Sequence, residues 1–348
     1  MAFPSRILII KLGSLGDLVH TLPAVAALKK WHPQTQIDWL VEKKCSVLLK
    51  GNPSIHEIIE VDTQSWRRSP LSLEVLSQIR SSLARLRANR YDLALDFQGL
   101  WKSAVFGYFS GAMRLLGFDK QVLREPGCRV LYDARISPGD GADHVIEICN
   151  ELVRSLGVET NGLHFDLTTS EEDNDYVSSQ LLSRQVSEFV ILNPGGGWVT
   201  KNWAPENYAA LHQRLRETTK MQTILTWGPG EEHLIERIFE ASRVAPPITF
   251  STTISQFIAL ARRAKLFVGG DTGPMHLAAA CGTPVVGVFG PTSPLRNGPF
   301  CPEDIVVSHV VPCGPCYKRE CEVRTNECMR LVTIDEVHSA VLRRLGLE

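Results

Sequence analysis

An α/β fold of two parallel-sheet domains is predicted by three observations. Apolar runs of strand length alternate along the chain with segments of helical periodicity. Several of those runs end in glycine-bearing loops that lead straight into a helix, the build of ligand-binding α/β sheets. A length of 348 residues is too great for one ordinary core, so two domains are expected. Apolar content of 44% and charged content of 22% are those of a globular protein, and a net charge of −1 provides no global attraction to nucleic acid or membrane. Any basic surface must therefore be local. The apolar run Ile7 to Ile10 is too short for a signal peptide or a span, and no run of about 18 apolar residues occurs elsewhere, so a cytoplasmic location is expected.

The first strand is Arg6 to Lys11, followed by Leu12-Gly-Ser-Leu-Gly-Asp17 and a helix from Leu18 to about Trp31 with apolar positions at Leu18, Leu22, Val25 and Leu28. Gly13-x-x-Gly16 lacks the three-glycine dinucleotide fingerprint, so a nicotinamide site is weakly supported. Further strands are predicted at Gln36 to Val41, Glu57 to Val61 and Asp92 to Asp96. Between the last two, Leu73, Leu76, Ile79, Leu83 and Leu86 repeat at helical spacing. Trp66-Arg67-Arg68 sets an aromatic beside two guanidiniums, which suits an anionic sugar or phosphate but is also what an exposed loop without a ligand looks like. Asp96-Phe-Gln-Gly-Leu-Trp-Lys-Ser103 lies at a strand's C-terminal end, where open α/β sheets bind ligands, and offers Gln98 and Lys102 as site residues.

A break at Ser137-Pro-Gly-Asp-Gly leads to a helix, His144 to Leu156, and the domain boundary is placed near 168. Ser170-Glu-Glu-Asp-Asn-Asp175 contains an Asp-x-Asp, but Ser170 reads as an N-cap with acids in the first helical turn, and no metal is assigned. The second domain, 169–332, opens with strand Phe189 to Leu192 and the loop Asn193-Pro-Gly-Gly-Gly-Trp-Val-Thr-Lys-Asn-Trp203. Its glycines, Gly196 among them, allow close approach of backbone to a ligand or another segment, and Lys201 is placed to meet a phosphate. Glu231 and Glu232, after the strand Gln222 to Trp227, compete for the role of an acid that accepts hydrogen bonds from ribose hydroxyls. Next comes the stretch on which the second domain centres. Lys265 to Gly270 reads as a buried strand, Asp271-Thr-Gly-Pro as a loop at a helix N-terminus, Pro274 to Cys281 as the helix, and Pro284 to Phe289 as the next strand. Unpaired amides and the helix dipole favour an anion at that loop, with a diphosphate as the first ligand to dock. The alternative is that Asp271 or Thr272 merely caps the helix.

Nine cysteines include a cluster, Cys313, Cys316, Cys321 and Cys328, whose C-x2-C-x4-C-x6-C spacing leaves reduced thiols, a disulfide and zinc all open. The last helix, 333–348, shows Ile334, Val337, Val341 and Leu345 on one face and is expected to dock on a core, with packing back on the first domain one possibility.

Together Lys11-Leu-Gly-Ser-Leu-Gly-Asp-Leu-Val-His20, Asp96 to Ser103, Arg124-Glu-Pro126, Lys201-Asn-Trp203 and Gly270-Asp-Thr-Gly-Pro-Met-His276 resemble the ADP-heptose:lipopolysaccharide heptosyltransferases, glycosyltransferase family 9. Ile37-Asp-Trp-Leu-Val-Glu42 and Trp66-Arg67-Arg68 look most like heptosyltransferase I, whereas the cysteine quartet looks like second-heptose relatives. The resemblance implies the GT-B architecture of two facing Rossmann-like domains and an inverting, metal-independent transfer with no cofactor. It implies a 1–168 domain that binds a Kdo-containing lipid A acceptor through Ser14, Gly16, Trp66, Arg67, Arg68, Gln98, Lys102 and Arg124. The second domain would bind ADP-heptose through Gly196, Lys201, Glu231 or Glu232, Asp271, Thr272, Gly273 and His276. Asp17 matches the family's catalytic base, and Lys201 with the helix dipole would stabilise the departing diphosphate. Where first-heptose enzymes often carry hydroxyl residues, this chain has Gly195-Gly-Gly197, so donor contacts there would come from backbone amides. Peripheral contact with the inner face of the cytoplasmic membrane follows from a lipid acceptor; no nucleic-acid partner is implied. The competing functions are the same fold acting on another nucleotide sugar or acceptor, and a non-catalytic nucleotide-sugar or NAD-binding module.

Overall fold

The computed structural model describes residues 3–68 and 72–348. The chain forms two compact units, Met1–Thr168 and Thr169–Glu348. In the first, β1 (Arg6–Ile10), β2 (Gln36–Glu42), β3 (Glu57–Val61), β4 (Leu93–Asp96), β5 (Leu115–Phe118) and β6 (Ala134–Ile136) form a parallel sheet in the order β3-β2-β1-β4-β5-β6. Ile7 to Ile10 are fully buried, as a strand covered on both faces requires, which is why that run reads as continuously apolar. Ile10 lies opposite Leu40 on one side and Asp96 on the other. Strand order reverses between β1 and β4, and the crevice beyond their C-terminal ends is where such a sheet binds ligands.

The second unit repeats the plan. Its strands are β7 (Phe189–Asn193), β8 (Gln222–Leu225), β9 (Ile248–Thr249), β10 (Leu266–Gly270), β11 (Val285–Phe289) and β12 (Ile305–Ser308), in the order β12-β11-β10-β7-β8-β9. All its pairings are parallel, and the reversal falls between β7 and β10, with Gly269 opposite Asn193. The two loops that leave these strands, 194–204 and 271–273, are therefore brought to one point.

Two expectations about helices change. The first helix spans Leu15–Trp31 rather than starting at Leu18, because Ser14 is its N-cap and Asp17 its third residue. The helix Leu73–Ala88 buries Val75 and Leu86, while Leu73 and Leu76 are exposed. At about 100° per residue Leu73 falls on the side opposite Val75 and Leu86, so its place in the apolar stripe was misread. The last helix, Ile334–Leu345, belongs to the second unit. Its Val337, Ala340 and Val341 enter that unit's core with Trp203, Tyr208 and Leu211. The indole of Trp203 donates to the Val332 carbonyl at 2.9 Å, and Arg344 pairs with Asp304 at 3.0 Å.

Candidate active site

In the first unit the chain turns out of β1 into a helix start, and the turn is pinned from two sides. The Lys11 ammonium, almost fully buried, donates to the Phe97 carbonyl at 2.9 Å. Gln98 Oε1 accepts from the backbone amides of Leu12 and Gly13 at 3.0 and 3.2 Å. Gln98 is held in turn by Asp96, whose Oδ1 accepts from the amides of Gln98 and Gly99 at 2.8 and 3.2 Å while Oδ2 accepts from Ser103 and Tyr132 hydroxyls at 2.9 and 2.8 Å. Burial pushes the Asp96 carboxyl up, and those four hydrogen bonds offset only part of the rise. Gln98 is the residue the sequence offers to a ligand, and Asp96 carries no such local signal. The structure makes the pair a strut joining the β1 and β4 loops.

Asp17 stands on this frame. Its Oδ2 accepts from the Ser14 amide at 2.7 Å and the Ser14 hydroxyl at 2.9 Å, half of a capping box, and its Oδ1 lies 3.8 Å from Lys11 Nζ. Burial would raise its pKa, but the Lys11 charge, both Ser14 hydrogen bonds and the Arg124 charge outweigh it and hold the carboxyl below its ordinary value. The side chain keeps 31% of its exposure, so the carboxylate is ionised and reachable. Ser14 is exposed and Gly16 buried in the first turn.

The other first-unit candidates divide. Lys102 pairs with Glu42 at 3.5 Å and donates to Thr63 at 3.3 Å; Thr63 donates to Glu42 through its amide, at 3.1 Å, and its hydroxyl. In the sequence Glu42, at the end of β2, figures only as part of a motif, without a site role. Arg67, Arg68 and Arg124 are exposed. Trp66 is not the exposed ring expected: it is only 8% exposed, donates to Gln78 at 2.7 Å and packs against Phe106 at 6.1 Å. That ring makes a core contact, and the exposed groups of the motif are Arg67 and Arg68. An aromatic on a one-turn helix, Thr63–Trp66, is drawn inward by its own apolar area.

In the second unit Lys201 crosses from the β7 loop to the β10 loop. Its Nζ lies 2.7 Å from Asp271 Oδ2 and 3.0 Å from the Asp271 carbonyl, with the Trp198 ring 4.5 Å away. Asp271 also meets His276 Nε2 at 3.1 Å through Oδ1, and its Oδ2 accepts from Asn297 Nδ2 at 3.3 Å. Burial would raise the Asp271 carboxyl; the His276 hydrogen bond and charge, then Lys201, hold it well below the usual range. Thr272 holds the N-cap position of the helix Gly273–Ala280 without a side-chain cap hydrogen bond, and Pro274 lies in the first turn, where no backbone donor is needed.

Beside this pair Gly196 is closely walled. A β-carbon there would lie 2.8 Å from Asn202 Oδ1 and 3.1 Å from Thr272 Cγ2. Both Asn202 Oδ1 and Thr272 Oγ1 are buried without a hydrogen-bond partner, a costly state unless a ligand supplies one. Gly195 makes room for Glu231: a β-carbon there would collide with Glu231 Oε2, which accepts from the Gly228 amide at 2.7 Å. Glu232 is exposed in the first turn of the helix Glu232–Ala241 and stands apart from these contacts. Asn202 and Thr272 thus place side-chain polar atoms beside the glycine turn, in addition to its backbone amides. The clustered cysteines are free thiols on one pocket with Thr200 and Lys318. The Thr200 hydroxyl donates to the Lys318 carbonyl at 2.8 Å, tying that segment to the loop that carries Lys201.

A parallel sheet with an amide-bearing helix start, a lysine and glycine turns at its switch point is the build of a nucleotide-binding α/β protein. Residues 79–326 match the family model described as glycosyltransferase family 9 (heptosyltransferase). The chain is similar to lipopolysaccharide heptosyltransferase 1 of Pseudomonas aeruginosa, at 30% identity over 329 residues that cover 92% of this chain and 89% of that one. It shares its fold with a glycosyltransferase family 9 protein of Veillonella parvula (TM-score 0.87, 20% identity, 100% and 99% of the two chains). The same holds for Escherichia coli heptosyltransferase WaaC with ADP (TM-score 0.78, 24% identity, 97% and 99%). The chain belongs to glycosyltransferase family 9, the heptosyltransferases.

Proposed function

We propose that the enzyme moves heptose from ADP-heptose to the Kdo-bearing inner core of a lipid A acceptor by an inverting displacement that needs no metal. The observation that carries the donor half is the cradle at Gly196. Thr272 Oγ1 can donate to a phosphate oxygen and Asn202 Oδ1 can accept from a sugar hydroxyl, and a nucleotide sugar brings both groups at once. Lys201 and the amides of the Gly273–Ala280 helix start then oppose the charge that grows on the diphosphate as the anomeric C–O bond breaks. Asp17 takes the proton of the acceptor hydroxyl as its oxygen attacks the anomeric carbon, and ADP leaves. Lys102, Arg67, Arg68 and Arg124 supply positive charge for acceptor carboxylates and phosphates. The relative named lipopolysaccharide heptosyltransferase 1 supports the choice of sugar and of acceptor class.

The test is mass spectrometry of products after incubation with a Kdo-terminated acceptor and ADP-heptose, or with other nucleotide sugars. A product heavier by one heptose only with ADP-heptose is expected. Transfer from a different nucleotide sugar, or from none, sinks the proposal.

A further inference from the structure

We propose that the outward face of the helix Trp101–Phe109 docks on an anionic lipid surface. Trp101, Val105, Tyr108 and Phe109 recur at i, i+4, i+7 and i+8, which puts them on one side of the helix. A helix covering a sheet normally turns such a stripe inward. Here Ala104, Phe106 and Gly107 already face the core, and the second apolar side is left outside, with Tyr108 58% exposed. Met113, just beyond the helix, is 78% exposed, and Val130 is exposed on the segment Pro126–Leu131 that packs beside Trp101. A contiguous exposed apolar patch on a globular protein marks a contact surface.

The chemistry around the patch selects its occupant. Tryptophan and tyrosine carry an apolar body and a polar tip, which suits the boundary between headgroups and acyl chains. Arg87 donates to the Phe109 carbonyl at 3.0 Å with its guanidinium 6.0 Å from the Phe109 ring, and Arg114 stands exposed next to Met113. Arginines beside an apolar face match lipid phosphates rather than a neutral protein groove. Among the described residues no helix is long and apolar enough to cross a membrane, so the contact would be peripheral. The choice of lipid also rests on the proposed function: the first turn of the same helix carries Lys102, which that reading gives to a lipid acceptor, so a docked face would present this helix start to the surface holding its substrate.

The test is flotation of the full chain with vesicles of phosphatidylethanolamine and phosphatidylglycerol, without acceptor. The wild-type chain should float, and a Val105→Ser, Tyr108→Ser, Phe109→Ser variant should float at least about tenfold less, as loss of the buried apolar area demands. Arg114→Glu should weaken flotation and leave the melting temperature unchanged. The triple variant should keep wild-type transfer to a water-soluble Kdo-terminated acceptor, and that assay separates docking from function. Transfer without flotation overturns the docking face alone; flotation without transfer overturns the proposed function alone. Equal flotation of the variant, loss of its transfer to the soluble acceptor, or a concentration-dependent wild-type dimer that the variant abolishes would each overturn the docking proposal.

Discussion

Lys201 and Asp271 form a largely buried ion pair, 2.7 Å apart, that joins the two loops of the second sheet's switch point. The lysine is therefore not a loose surface charge awaiting a phosphate; its ammonium is held in place by a carboxylate and a carbonyl before any donor arrives. Lys201→Ala should weaken ADP binding at least about tenfold and lower turnover further, because the charge on the leaving diphosphate grows toward the transition state. It should also cost stability, on the order of 3 kcal/mol, since Asp271 is left with only part of its neutralising company. Calorimetry with ADP and a melting curve measure the two effects. Unchanged ADP affinity in a folded variant removes Lys201 from the donor site.

The same pair makes a pH prediction. The Asp271 carboxyl titrates lower in the folded chain than its ordinary value of 3.8. Folding therefore gains from its ionised form above that value, and the gain is lost as pH falls through the folded-state pKa. Asp271→Asn should show its full deficit in melting temperature from pH 7 down to about 5, and the gap to wild type should narrow below about pH 4. A deficit that stays constant across that range would assign the loss to packing rather than to charge.

The three successive glycines give a contrast within one loop. At Gly195 a β-carbon would collide with Glu231 Oε2, and at Gly196 it would press on Asn202 and Thr272, whereas at Gly197 it would meet nothing within 4 Å. Gly195→Ala should displace Glu231 and Gly196→Ala should fill the cradle, each lowering ADP affinity by roughly tenfold or more. Gly197→Ala should bind ADP as the wild type does. Titration of the three variants with ADP checks the order; equal affinities would mean that the cradle holds no part of the donor.

The sequence made the sheets legible because their strands are buried on both faces and so read as unbroken apolar runs, Ile7 to Ile10 and Phe189 to Leu192 being the plainest. The donor loops were legible for a related reason: glycine, lysine and a helix start recur within a few residues of each other. What stayed hidden depended on partners distant in sequence. Nothing local to Gln98 shows that its amide oxygen serves Leu12 and Gly13, 86 and 85 residues away. Trp66 read as a loop aromatic because Gln78 and Phe106, which bury it, belong to other elements. The last helix showed a clear apolar face, but periodicity names a face and not the surface it meets.

Asp17 has two roles to separate, since the carboxylate that would act as base also accepts both Ser14 hydrogen bonds at the helix start. In Asp17→Asn the amide oxygen can still accept from the Ser14 amide, but the charge that complements Lys11 and the helix N-terminus is gone, at a cost of about 1 kcal/mol. The Asn variant cannot take a proton, so transfer should fall by roughly 10²-fold or more while ADP affinity stays near wild type. Ser14→Ala is the complement: it removes the hydroxyl partner of the cap, leaves the carboxylate, and should lose stability with far less effect on transfer. Because the Asp17 carboxyl lies below its ordinary value, it is already ionised throughout the neutral range, and its protonation should not depress the rate at pH 6. Rate and melting measurements on the two variants decide the matter. Should Asp17→Asn transfer heptose near the wild-type rate, the carboxylate is only a cap; the next candidate, His20, is buried and edge-on to His144 at 5.6 Å, and would need the helix start to open before an acceptor could reach it.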